Sequence, residues 1–177
     1  MATFADDIST FTNDSLDDAD TAASRTMRGA FADAGAVRRF IQANKLATGS
    51  AVFTLESGKT GKRFTYRVRQ AIENEQPQDM FFVAVLTGAD NNTDYKYIGY
   101  IRRSVFWAGR KTPKPGDINT DAPSVKAFDW TWRQIVRGEL PEQLHVYHEG
   151  RCGRCSRRLT VPESITSGFG PECIGKL

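Results

Sequence analysis

The three cysteines of the chain, Cys152, Cys155 and Cys173, all fall in its last segment, and His148 stands just ahead of them. A chain of 177 residues can bury roughly 70% of its unfolded surface, so its core does not need disulfides. The spacing H-x3-C-x2-C-x17-C therefore asks for another explanation, and a structural zinc ion supplies one. In Cys152-Gly153-Arg154-Cys155 a tight turn lets two thiolates point at one centre about 2.3 Å away, and a second element closes the tetrahedron. Gly168 and Gly170 give the backbone the freedom to bring Cys173 back to that centre.

The fourth position is contested between His145 and His148. On a strand, residues three apart face opposite sides, so both cannot reach one ion. His148 is nearer the knuckle and is the expected ligand, giving the set His148, Cys152, Cys155 and Cys173. Without a histidine the ion would keep a water, and an open position is where metal catalysis begins. Glu149 and Glu172 are the only general bases nearby in sequence, and the zinc-deaminase pattern is absent because His148 directly precedes Glu149. A redox reading of C-x2-C needs a helix after the motif within a βαβ unit, and Ser156-Arg157-Arg158-Leu159-Thr160 looks like a short strand or turn instead. Unlinked structural thiols are the remaining reading.

Charge is unevenly placed. Residues 1–20 hold six aspartates and no lysine or arginine. With a net charge of +3 for the whole chain, the remainder therefore carries 3 + 6 = +9. A basic body behind an acidic arm fits an anionic partner such as nucleic acid, or serves solubility alone. The arm itself reads as disordered, either a polyanion mimic or a frayed terminus. Arg151, Arg154, Arg157 and Arg158 surround the cysteines. They would offset a zinc-thiolate centre by hydrogen bonds to sulfur, or clamp phosphates. With Lys59, Lys62, Arg63, Arg67, Arg69, Arg102 and Arg103 they would form a continuous basic surface if sheet and knuckle share a side.

Periodicity sets the body. Val37, Phe40, Ile41 and Asn44 recur at helical spacing, predicting a helix over Asp33 to Leu46 that stops at Thr48 to Ser50. Phe64, Tyr66 and Val68 alternate with Thr65, Arg67 and Arg69, a half-buried strand with a basic outer face. Phe53 and Leu55 belong to its partner across the Ser57 to Lys62 turn. Phe81 to Leu86 and Tyr95 to Ile101 make a second hairpin around Gly88 to Asn92. Asp121 is the expected N-cap of a second helix, with Pro123 in its first turn, an apolar stripe of Val125, Phe128, Trp132, Ile135 and Val136, and Gly138 at its end. Leu144 to His148 reads as a short strand leading into the cysteines. The predicted class is α+β: an antiparallel sheet of two hairpins packed with two helices, plus a small C-terminal zinc knuckle. The expected division is an acidic arm at 1–20, an α+β body at 21–147 and the knuckle at 148–177.

Two apparent phosphate motifs fail. Gly170 to Lys176 spells G-x4-G-K, but Leu177 replaces the Ser or Thr that would hold magnesium. Gly58-Lys59-Thr60 has Phe53 where the leading glycine belongs.

The run from Cys152 through Leu159-Thr160, Pro162-Glu163-Ser164-Ile165 and Gly168-Phe169-Gly170-Pro171-Glu172-Cys173 resembles a cysteine motif of uncharacterised bacteriophage and actinobacterial mobile-element proteins. Phe64-Thr65-Tyr66-Arg67, Val85 to Asn91, Asp121 to Val125 and His148-Glu149-Gly150 extend the likeness over roughly residues 48–177. Ser156 stands where those proteins often have glycine. The resemblance implies a phage-encoded protein with His148 and the three cysteines as its metal ligands, and it implies no activity. The expected function is that of a non-enzymatic zinc-binding protein of the bacterial host cytoplasm that holds nucleic acid, DNA or RNA, through phosphates. An adaptor or inhibitor of a host protein, in host takeover or anti-defence, is the alternative. Paired catalytic carboxylates, a nucleophile with its base, and a nucleotide fingerprint are all missing from the recognisable motifs. No window is apolar enough to span a membrane.

Overall fold

The computed structural model describes residues 29–46 and 49–177. The acidic arm expected at 1–20 and the start of the 21–46 segment lie outside the described residues. The chain runs β1 (Gly29–Ala30), α1 (Ala34–Gln42), β2 (Ala51–Ser57), β3 (Arg63–Glu73), β4 (Gln76–Leu86), β5 (Tyr95–Arg102), β6 (Val105–Ala108), α2 (Pro123–Arg137), β7 (Leu144–His148), α3 (Pro162–Ser167) and α4 (Pro171–Ile174).

These strands form one antiparallel sheet in the order β1-β7-β2-β3-β4-β5-β6. The predicted hairpins are its centre. The β3–β4 and β5–β6 turns are two-residue connections. Each places two non-glycine residues at positive φ, Asn74 and Glu75 in one, Arg103 and Ser104 in the other. That backbone matches the right-handed twist of the flanking strands. The Arg103-Ser104 turn is pinned from the helical layer: Arg38 donates to Ser104 Oγ at 2.8 Å and Trp132 Nε1 donates to the Ser104 carbonyl at 3.0 Å.

One sheet face carries the core, because Phe53, Leu55, Tyr66, Val68, Val83, Ile101 and Val146 alternate with outward residues. Helix α2 lays its stripe there. Phe128 packs against Phe106 at 4.7 Å and Tyr66 at 5.2 Å between ring centroids and stacks on Trp132. Such pairs add roughly 0.5–1.5 kcal/mol each beyond burial. The buried Tyr66 hydroxyl finds the Ser124 carbonyl at 2.7 Å.

Helix boundaries depart from the expectation. Asp33 does cap α1 by accepting from the Ala36 N–H, but the helix ends at Gln42, short of Leu46. Asn44 is exposed rather than part of the apolar face. The cause is tertiary: the Lys45 N–H is captured by Gln70 Oε1 at 2.7 Å and the Leu46 N–H by the Arg154 carbonyl at 3.0 Å. Ala122, not Asp121, is the N-cap of α2. It offers no side-chain bond, and Pro123 has no N–H to satisfy. Asp121 instead pairs with Lys126. Gly138 closes α2 at φ 82° as anticipated. Among the described residues, no helix is long and apolar enough to cross a membrane.

Candidate metal centre

Strand β7 delivers the chain to the cysteines. It is hydrogen-bonded on both sides, to β1 and to β2. After His148 the backbone folds into a turn in which the Ser156 N–H bonds to the Cys152 carbonyl at 2.9 Å and the Leu159 N–H to the Gly150 carbonyl at 2.7 Å. The short helices α3 and α4 then return Cys173. The Gly153 N–H bonds to the Gly168 carbonyl at 3.0 Å, tying the return leg to the knuckle. Both glycines press on Phe40 of α1, and a Cβ on either would overlap its ring. Gly168 also sits at φ 77°, where only glycine is unstrained.

The result is a cluster in which the Sγ atoms of Cys152, Cys155 and Cys173 all lie within 4.8 Å of one another. Three thiolates around a tetrahedral zinc stand roughly 3.8 Å apart for a 2.3 Å bond, so the donor set fits such an ion. The thiols are not equivalent. Burial pushes Cys152 up, but the N–H groups of Gly170, Cys155 and Arg154, with the Cys155 thiol, outweigh it and hold Cys152 below the usual thiol range. Burial and its sulfur neighbours raise Cys155 to about 11. Backbone N–H groups converging on one sulfur stabilise a thiolate, the form that ligates.

Two cations serve the cluster. Arg154 Nη1 donates to Cys173 Sγ at 3.9 Å. Lys45 is 5% exposed, its ammonium donates to the Phe40 carbonyl at 2.8 Å, and the Cys152 charge acts on it favourably. Burial, partly opposed by the Cys152 charge, lowers the Lys45 pKa to about 7. A zinc ion on three thiolates carries net charge −1, which a buried ammonium offsets. Sequence reasoning missed Lys45, since nothing in its neighbours marks a lysine beyond a helix end as buried.

His148, the expected fourth ligand, lies outside this sulfur cluster, and both its ring nitrogens have backbone partners. Alternation along β7 turns it inward and leaves His145 exposed on the other face. The Gly150 N–H donates to His148 Nδ1 at 3.0 Å, so Nε2 carries the proton and donates to the Ile165 carbonyl at 2.6 Å. Phe31 and Phe40 flank the ring at 5.2 and 5.6 Å. With both nitrogens engaged by backbone, the imidazole anchors α3 to the sheet. A Cβ at Gly29 would overlap it.

The other candidate residues are dispersed. Arg151 donates to the Ser156 carbonyl at 3.2 Å, and Arg157 and Arg158 are exposed on the knuckle. Ser156 adopts φ 60° and is compensated by Ser50, whose N–H donates to its Oγ at 2.9 Å. Lys62 ends the β2–β3 turn, and Arg63 is paired to Glu56 at 2.6 Å. Arg67 and Arg69 point to the uncovered sheet face, whereas the knuckle packs on Phe40 in the helical layer. Residues 142–177 match a family described as a family of unknown function, DUF6011. No curated protein and no solved structure matches the chain.

Elemental analysis after reducing purification should find equal metal in wild-type protein and His148→Gln, and a loss of it in Cys155→Ser. Equal loss in His148→Gln would return the imidazole to the ligand set. Lys45→Met should retain the metal but bind it about tenfold more weakly in competition with a chelator, the usual range for an outer partner. Burial, partly opposed by the bond to Ile165, holds the His148 pKa below its ordinary 6.5. The unfolded chain thus takes up this proton at a higher pH than the folded one, so stability present above pH 6.5 is lost as the pH falls below it. In a proton NMR titration the His148 Cε1–H midpoint should lie below 6.5; a midpoint above it would contradict the packed neutral ring.

Proposed function

We propose that the chain is a phage-encoded, non-enzymatic zinc protein whose metal pins the C-terminal segment to the body, and that it holds nucleic acid through phosphate contacts. The convergence of Cys152, Cys155 and Cys173 carries the metal part. Zinc is favoured because three thiolates form a soft donor set, and a metal bound at such a site contributes folding free energy. His148, with both nitrogens committed, leaves the fourth position to a ligand outside the cluster. The phage origin rests on the resemblance of the cysteine segment.

Support for the nucleic-acid part comes from how the arginines divide. Arg154 serves sulfur and Arg151 the knuckle backbone, and the exposed Arg157 adds positive charge beside the centre. Guanidinium groups so placed suit phosphate oxygens. Binding of this kind is read from backbone charge rather than base identity.

Labelled DNA or RNA should be retained at low salt, with affinity falling roughly threefold per neutralised phosphate as salt rises from about 50 to about 200 mM. Arg157→Glu with Arg158→Glu should weaken retention at least about tenfold, with metal content unchanged. If wild-type protein retains no nucleic acid but a pull-down from nuclease-treated host lysate recovers one partner stoichiometrically, the adaptor reading replaces this one.

A further inference from the structure

The sheet face that the helices leave uncovered carries a cross-strand row set by register. Arg69 stands opposite Phe82, Phe82 opposite Tyr100, and Tyr100 opposite Trp107, across β3, β4, β5 and β6. Each of these residues has buried chain neighbours, among them Val68, Val83, Ile101 and Phe106, so all four project outward. Phe82 is 42% and Trp107 55% exposed, unusual for such large rings. A second row runs from Arg67 through Ala84 to Tyr97. Here Arg67 lies over the Tyr95 ring at 4.0 Å and Arg110, paired to Asp117, over Tyr97 at 4.4 Å. Phe82 and Tyr97 join the rows, their centroids 6.4 Å apart. At the β5–β6 end a cavity of about 300 Å³ opens between Tyr100, Arg102, Arg103, Val105 and Trp107.

Exposed aromatic rings are poor surface unless something flat covers them. Neighbouring strands lie about 4.8 Å apart, so rings on successive strands form a stepped platform. The surrounding charge selects what covers it: Arg69, Arg102 and Arg103 are exposed around the first row, which contains no carboxylate, while Asp117, paired to Arg110, and Glu149 act on Tyr97 and Tyr95 at the second. A duplex hides the faces of its bases, whereas a single strand offers both bases to stack and phosphates to pair. The geometry points to the open sheet face as a binding site for single-stranded nucleic acid, its bases stacked on Phe82, Tyr100 and Trp107 and its phosphates met by Arg69, Arg102 and Arg103. This rests on the nucleic-acid reading above and moves the principal contact from the knuckle to the sheet. Tyr97 and Tyr95, already covered by guanidinium groups, brace the platform.

The test uses the full-length metal-loaded protein and a fluorescein-labelled mixed-sequence strand of about 12 nucleotides, within the site size of stacking proteins. The single strand should bind more tightly than its duplex, and should quench Trp107 fluorescence in a variant with Trp130→Phe. Phe82→Ala with Trp107→Ala should weaken binding at least about tenfold per ring, with the circular dichroism spectrum unchanged and melting lowered only by the small loss of cross-strand ring contacts. Tyr100→Phe should bind like wild type, since its ring is retained. Unchanged affinity in the double variant, with loss only in Arg157→Glu/Arg158→Glu, overturns the sheet site and leaves the nucleic-acid reading standing. No binding of any oligonucleotide by wild-type protein overturns both. A dimer in solution that Phe82→Ala/Trp107→Ala converts to monomer assigns the face to a second copy and also overturns the proposal.

Discussion

Strand β7 is five residues long, yet the C-terminal segment depends on it. Hydrogen bonds to β1 on one side and β2 on the other hold it in register, so its inward and outward residues cannot exchange. That register puts His148 beneath Gly29 and between Phe31 and Phe40, where its two nitrogens hold the Gly150 N–H and the Ile165 carbonyl. Losing either bond would leave a buried backbone group unmet, at about 1–3 kcal/mol. The chain enters the cysteine turn from a fixed direction, and α3 is held over the same ring. The histidine thus helps to shape the cysteine cluster.

The cluster joins the helical layer at Phe40. Gly153 and Gly168 meet its ring, and its carbonyl receives the Lys45 ammonium. One aromatic residue of α1 therefore supports both legs of the knuckle and positions the cation that faces Cys152. Burying a lysine is costly unless a counter-charge is near, and the Cys152 thiolate provides one. In the metal-binding reading, metal binding and the seating of Lys45 are mutually dependent: each charge reduces the cost of the other.

The two faces of the sheet divide the work. The inner face is filled by α1, α2 and the knuckle. The outer face keeps aromatic rings that a folded core would normally bury, among arginines that keep them soluble. In the metal-binding reading the knuckle stabilises the end of the sheet where β7 and β2 meet. In the nucleic-acid reading the platform lies across β3 to β6, so structural and recognition roles occupy different strands.

Local patterns in the chain were enough to place the central hairpins, β7, the apolar stripe of α2 and the convergence of the three thiols. Each depends on a short period or a short spacing: alternation of two, helical recurrence, or C-x2-C with glycines to turn the return leg. The ends of α1, the capping of α2, β6 and the short helices α3 and α4 were not legible in this way, because they are settled by partners distant in sequence, such as Gln70 and Arg154 with the segment after α1. The surroundings of His148 depend on a distant partner in the same way. Proximity along the chain suggested it as a ligand, whereas its surroundings, the inward side of β7 and the carbonyl of Ile165, come from tertiary structure. The aromatic row was visible only as separate strands, since residues as far apart as Arg69 and Trp107 become neighbours through inter-strand register, which no single stretch of sequence contains.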